Sequence, residues 1–260
     1  MSDILAVEGL TRNFGGLAAV SNVNLRLGTG ELVGLIGPNG AGKTTVFNLL
    51  TGVYPPSAGT ITFTRQDRGP VSIGGRRPYA ICRAGVGRTF QNIRLFKDLT
   101  VLDNVVIALQ QNRRYPLLSS FLRLPPFAKA EAEIHAESLE LLRIMGLDAK
   151  AEELARNLPY GDQRHLEIAR ALATKPTLLL LDEPAAGMNP NETAQLTRLI
   201  ARLRDEFALT ILLIEHDMSL VMKICERIYV LDHGVVIASG TPAEVRANPK
   251  VIEAYLGEEA

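Results

Sequence analysis

Apolar residues at every second position open the chain. Val23, Leu25 and Leu27 alternate with Asn24 and Arg26, the period of a strand with one buried and one wet face. Residues 4–27 as a whole read as strands. Residues 32–36, Leu-Val-Gly-Leu-Ile, and the four leucines at 178–181 are apolar without a break. Short runs of that kind suit strands of a parallel sheet covered on both faces, and residues 209–214 read the same way. Helical spacing appears elsewhere. Leu196, Leu199, Ile200, Leu203 and Phe207 recur at i, i+3, i+4, i+7 and i+11, predicting an amphipathic helix over residues 191–207. Ile134, Leu141, Leu142 and Met145 mark one face of another. From residue 99 to about 170 the texture is helical, broken at 115–127 by a proline-flanked stretch rich in Leu and Phe. Such a stretch is either packed on its own domain or offered to a partner. Residues 60–63 read as a strand, 227–232 and 235–239 as a hairpin around His233-Gly234, and 242–256 as helical. Residues 64–79, rich in Arg, Gly and Pro, read as a surface excursion.

Chemistry enters where these elements meet. Between the apolar run at 32–36 and a predicted helix at 46–50 stand Gly37, Pro38, Asn39, Gly40, Ala41, Gly42, Lys43, Thr44 and Thr45. They match the phosphate-loop pattern in the strand–loop–helix context that the pattern requires. Gly37, Gly40 and Gly42 have no Cβ, so the backbone can wrap a triphosphate and aim N–H groups at it. The helix start adds unpaired amides and partial positive charge. Lys43 can reach the β- and γ-phosphates, and the Thr44 hydroxyl suits Mg²⁺. The leucine run ends in Asp182-Glu183, at the sheet edge where α/β proteins bind ligands. Asp182 suits Mg²⁺, and Glu183 suits a general base for water. The run at 209–214 ends in Glu215-His216-Asp217. His216 is either structural or a partner for the γ-phosphate or the attacking water. Gly161, at a predicted helix start, offers another phosphate contact. Phe14, just ahead of Gly15-Gly16, is either a core aromatic or a ring stacked on adenine; spacing leaves the two even. Gln91 alone says little, and His135 and His165 read as surface or structural.

Composition changes the picture in three places. Lys+Arg and Asp+Glu balance at 28 each, which gives no sign of nucleic acid as a main partner. No apolar run approaches the ~20 residues of a spanning helix, and no signal peptide is visible at the start. Cys82 and Cys225 are far apart, without metal-ligand spacing, and read as reduced thiols.

Taken together, the motifs resemble those of the ATP-binding subunits of ABC transporters, over essentially the whole length. The resemblance implies an α/β fold: a phosphate-loop (RecA-like) nucleotide-binding core, an antiparallel β subdomain and an inserted α-helical subdomain. Residues 1–94 and 171–260 would form the core, and residues 95–170 the helical part. It implies ATP and Mg²⁺ as cofactors, Phe14 as the adenine-stacking aromatic, and Gln91 as the Q-loop contact for Mg²⁺ and water. It also makes Asp182 and Glu183 the Walker B pair and His216 the switch histidine. Leu158, Pro159, Tyr160, Gly161 and Asp162 match the family signature, which meets the nucleotide held by a second ATPase chain. Finer stretches are similar to the ATPases of bacterial branched-chain amino acid importers: residues 14–17, 88–91, 160–164, 183–190 and 254–257, with the loop at 115–127. Those systems imply a second ATPase (a heterodimer, or a homodimer in isolation), two membrane permeases and a periplasmic binding protein. The chain would then sit peripherally on the cytoplasmic face of the inner membrane and bind no nucleic acid. A lipopolysaccharide or other ABC transporter and, further off, a soluble ABC ATPase are the rival readings.

The sequence departs from the wider family in the signature, Leu-Ser-Gly-Gly-Gln. Pro159 stands for the Ser whose hydroxyl touches the γ-phosphate across the dimer. Asp162 stands for the Gln and brings a carboxylate near an anion. Asn189 stands where the wider family has Asp. The expectation is an asymmetric pair of ATP sites: this chain's own site intact, and the partner's site completed by an altered signature.

Overall fold

The structure, a computed structural model, describes residues 3–65, 69–111 and 125–256. The proline-flanked stretch therefore lies mostly outside the described residues, as does Gly257. The chain divides into two compact units. One comprises Met1–Arg88 with Thr177–Ala260, the other Thr89–Pro176.

In the first unit, β1 (Asp3–Phe14), β2 (Leu17–Gly28), β4 (Ala58–Arg65) and β5 (Gly69–Ser72) form an antiparallel sheet in the order β2-β1-β4-β5. The period-two alternation of β2 is realised: Val23, Leu25 and Leu27 are buried, while Asn24 and Arg26 face water. A second sheet has the order β10-β9-β3-β8-β7-β6. Its strands are β3 (Leu32–Ile36), β6 (Val86–Arg88), β7 (Leu178–Asp182), β8 (Thr210–Ile214), β9 (Arg227–Asp232) and β10 (Val235–Gly240). All pairings in it are parallel except the β9–β10 hairpin. Strands β3, β7 and β8 are buried at every position, as unbroken apolar runs require. Each such leucine or isoleucine contributes roughly 1.5–3 kcal/mol by leaving water.

Six of the described α-helices belong to this unit: α1 (Lys43–Leu50), α2 (Pro78–Ala84), and, after the described helices of the second unit, α6 (Pro190–Glu206), α7 (Met218–Ile224), α8 (Pro242–Arg246) and α9 (Pro249–Leu256). Residues 64–79 differ from expectation. They contain β5, paired with β4 from Thr62↔Ser72 to Arg65↔Gly69, and the start of α2.

The second unit holds α3 (Val101–Gln110), α4 (Pro125–Ile144) and α5 (Tyr160–Ala173). Ile134, Leu141, Leu142 and Met145 are buried, as their spacing predicts. Thr100 caps α3 through a capping box with Asp103. The unit begins at Thr89 and ends at Pro176, six residues outside the expected limits on each side. The reason is local: Arg164 and Glu167 of α5 bond the backbone of Phe90, Gln91 and Arg94.

Candidate nucleotide and catalytic site

Parallel pairing decides where the site lies. Strand β8 runs between β3 and β7, with Leu35 and Asp182 both level with Ile214. The segments that leave the C-terminal ends of these three strands thus open on one edge of the sheet. They carry the phosphate loop, Asp182-Glu183 and Glu215-His216.

The phosphate loop needs its glycines for different reasons. Gly37 has φ 150°, and a Cβ there would lie 1.9 Å from the Leu231 carbonyl oxygen. Gly42, the N-cap of α1, has φ 102°, and its Cβ would lie 2.6 Å from the Ala19 carbonyl oxygen. The loop is thus pressed against β9 and β2 behind it. No side chain caps α1, as suits amides that bond phosphate oxygens. Lys43 Nζ donates to the Gly37 and Pro38 carbonyls at 2.6 and 2.7 Å, which folds the ammonium back over the loop. Thr44 is exposed in the first turn of α1 and Thr45 half-buried.

Asp182 is buried, and its Oδ2 accepts from Arg88 Nη2 at 2.8 Å. The two side chains are 7% and 1% exposed, and breaking a buried pair of this kind typically costs about 3–5 kcal/mol. Glu183 follows with φ 47°, an unusual conformation for a residue with a long side chain. Its Oε1 lies 2.6 Å from His216 Nε2. Strain of this kind persists where surrounding structure holds it, and here it aims a carboxylate at an imidazole. Glu215 is the residue that holds the two segments together. Its Oε1 accepts from the Ala185 amide at 2.6 Å and its Oε2 from the His216 amide at 3.1 Å. Burial, and secondarily the charge of Glu183, push its carboxyl above the ordinary value, against the pull of those amides.

Phe14 ends β1, 40% exposed. The Arg12 guanidinium lies over its ring at 4.7 Å, and Tyr54 meets it edge-on at 5.2 Å. Arg12 is anchored by the Pro55 carbonyl. A ring held this way and left partly open can stack on a base.

In the second unit, Pro159 is the N-cap of α5, without a side-chain cap bond, and Tyr160, Gly161 and Asp162 form its first turn. Asp162 Oδ2 accepts from Lys150 Nζ at 2.5 Å; that bond and the opposite charge raise the Lys150 pKa. Gln91 is exposed, and its backbone carbonyl accepts from Arg164 Nη2. Arg164 is the largest fully buried side chain of the described residues. It also donates to the Phe90 carbonyl, to Glu167 Oε2 and to the Tyr160 hydroxyl. Burial raises the Glu167 carboxyl even so. Burial likewise lowers His165, and pushes the Cys225 thiol up to about 12.

Comparison with known proteins agrees with this geometry. Residues 20–186 match the ABC transporter family. The chain belongs to the ABC transporter family. As an ABC ATPase it has a specific second match: residues 235–260 fit the branched-chain amino acid ATP-binding cassette transporter family. The chain is 53% identical to the high-affinity branched-chain amino acid transport ATP-binding protein LivG of Salmonella typhimurium, over 98% of both chains. The crystal structure of an ATP-binding cassette from an ABC transporter in its ADP conformation is similar, with TM-score 0.83 and 28% identity. It covers 99% of this chain and 100% of that one. A dimeric cassette in a post-hydrolysis state, bound to ADP and phosphate, has TM-score 0.75 and 25% identity over 92% and 98% of the chains.

Set against the wider ABC family, two departures have a structural partner. The Asp162 carboxylate does not stand unneutralised at the signature: Lys150, twelve residues earlier in the chain, pairs with it. Asn189 is the N-cap of α6, its side-chain oxygen accepting from the Asn191 and Glu192 amides. Pro159, by contrast, leaves the signature without the hydroxyl. Sequence reasoning gave no role to Lys150 or Glu167, and placed Arg88, Arg164 and Glu215 only within motif stretches, without a role for the side chain.

Proposed function

We propose that this chain is the ATP-binding and ATP-hydrolysing subunit that energises import of branched-chain amino acids through a membrane ABC transporter. The observation that carries the hydrolytic part is the 2.6 Å contact between Glu183 and His216 at the edge of the phosphate loop. The match of residues 235–260 supports the amino acid importer over a lipopolysaccharide transporter.

Phe14 stacks on the adenine. The loop from Gly37 to Thr45 wraps the triphosphate, and Lys43 exchanges the Gly37 and Pro38 carbonyls for phosphate oxygens. The Thr44 hydroxyl and the Asp182 carboxylate are hard oxygen donors, which fits Mg²⁺ shared with phosphates; no group of three or more His, Cys, Asp or Glu suited to a metal occurs among the described residues. A bound Mg²⁺ would supply charge neutralisation for the phosphates. Gln91 is assigned to the metal and the water by its place in the family. Glu183, oriented by His216, takes a proton from the attacking water. Water oxygen bonds the γ-phosphorus, and the bond to the bridging oxygen of ADP breaks. Pro159, Tyr160, Gly161 and Asp162 face the nucleotide of a second ATPase in trans.

The partners are that second ATPase, two permeases and, indirectly, a periplasmic amino acid-binding protein. No helix of the described residues is long and apolar enough to cross a membrane. In this reading the permeases hold the chain on the cytoplasmic face. The test is co-purification of the tagged chain from detergent-solubilised membranes, followed by uptake of leucine, isoleucine and valine. Two hydrophobic permeases, a second cassette and uptake that fails on Lys43→Ala are the expected result. A cassette that never leaves the soluble fraction would sink the transport reading.

A further inference from the structure

Arg88 ends β6, three residues before the Q-loop glutamine, and no role falls to it in the reading above. Its side chain is nearly buried and joins three elements. Nη2 donates to Asp182 Oδ2 on β7 at 2.8 Å; Nη1 donates to Asn48 Oδ1 at 2.7 Å and to Thr51 Oγ1 at 3.0 Å. Asn48 lies within α1 and Thr51 is its C-cap. The guanidinium carbon lies 5.6 Å from the centre of the Phe47 ring, also on α1. Thr51 Oγ1 itself donates to the Phe47 carbonyl at 2.7 Å, so it meets Arg88 with a lone pair. These four hydrogen bonds are mutually consistent in donor and acceptor.

Helix α1 carries Thr44 in its first turn, and β7 ends in Asp182. These are the two oxygen donors assigned to the metal, and they belong to elements separated by β8 in the sheet. A planar fork with fixed donor directions can hold one carboxylate against one helix; a lysine ammonium, compact and able to swivel, cannot fix both directions at once. We infer that Arg88 is a positioning residue for the metal, tying the Asp182 carboxylate to the phosphate-loop helix so that Thr44 and Asp182 keep one separation. This rests on the assignment of Asp182 to the metal. Partners of metal ligands of this kind typically change metal affinity by 10- to 100-fold when altered.

The experiment uses the full chain loaded with a non-hydrolysable ATP analogue and titrated with Mn²⁺, free ion being read by electron paramagnetic resonance. Nucleotide affinity in EDTA and thermal melting are measured in parallel. Arg88→Lys is expected to weaken Mn²⁺ binding by about 10-fold or more, with nucleotide affinity in EDTA within about twofold. Asn48→Ala keeps the ion pair but removes a tie to α1, and is expected to weaken Mn²⁺ about threefold or more; it carries the test if Arg88→Lys does not fold. Asp182→Asn is the reference. If Asp182→Asn weakens Mn²⁺ while the folded Arg88 and Asn48 variants bind it as the parent does, Arg88 has only a structural role. If Asp182→Asn also binds Mn²⁺ as the parent does, the metal assignment itself fails, and this inference with it.

Discussion

At the scale of single residues, the backbone at the end of β7 is strained beside a polar contact. Glu183 has a positive φ although a β-carbon disfavours it, and its carboxylate meets His216. Replacing Glu183 with Gln keeps the size of the side chain but removes the proposed base. Steady-state hydrolysis should fall by roughly 100-fold or more, while ATP binding, read by fluorescence of a labelled nucleotide, stays within a few-fold. His216→Ala should lower hydrolysis as well, because the carboxylate loses the group that orients it. Equal hydrolysis in the parent and Glu183→Gln would remove Glu183 as the base. The common placement of the loop at 37–45, Asp182, Glu183 and His216 at strand ends was legible in the sequence, since each stands at the end of a run of apolar residues. The pairings of Arg88 and Lys150 were not. Their partners, Asp182 and Asp162, lie 94 and 12 residues away, and charge pairing at such distances is written only in the fold.

Helices and strands follow local rules where their residues carry an apolar run or period, and escape them where neither is present. The alternation in β2 and the spacing of Ile134, Leu141, Leu142 and Met145 survive in the structure because each spans several turns or pleats. Strand β5 is four residues long, contains Gly69 and Pro70, and exists through its pairing with β4, so no local signal announces it. Helix α2 is seven residues long and starts with Pro78 at N1, too short for a period to show. Helix α6 gives a quantitative test at this scale. Asn189 caps it in a box with Glu192, whose carboxylate accepts from the Asn189 amide. Asn189→Ala should cost about 1 kcal/mol in urea unfolding, while Asn189→Asp should be near neutral, because both side chains cap well. A loss as large in Asp as in Ala would show that the cap is not what Asn189 supplies.

For the whole molecule, the relevant balance is between burial of charge and what holds it. Glu215 is buried among amides and raised above its ordinary value near 4.5. A carboxyl bound more tightly by protons in the folded state adds stability that is complete below the unfolded value. That contribution disappears as pH rises through the folded value. The stability of the parent relative to Glu215→Gln should therefore be greatest at acid pH and diminish as pH rises from about 4.5. Melting curves of both proteins across that range check the sign, and a gap that widens with pH would contradict it.

The turn of the β9–β10 hairpin is stitched to the phosphate loop. The Gly234 amide donates to the Ala41 carbonyl at 3.0 Å, and the Gly234 carbonyl accepts from the Ser21 amide at 2.8 Å. Glycine is required at 234 as well, where φ is 79° and a Cβ would press on the Ala19 carbonyl oxygen at 2.8 Å. The loop that wraps the triphosphate is thus the front ply of a laminate whose rear ply is made by the last third of the chain. A nucleotide that stiffens the front ply should slow deuterium uptake at the Gly234 amide, which never touches it. Occupancy would then be audible at the back of the sheet, through a single hydrogen bond.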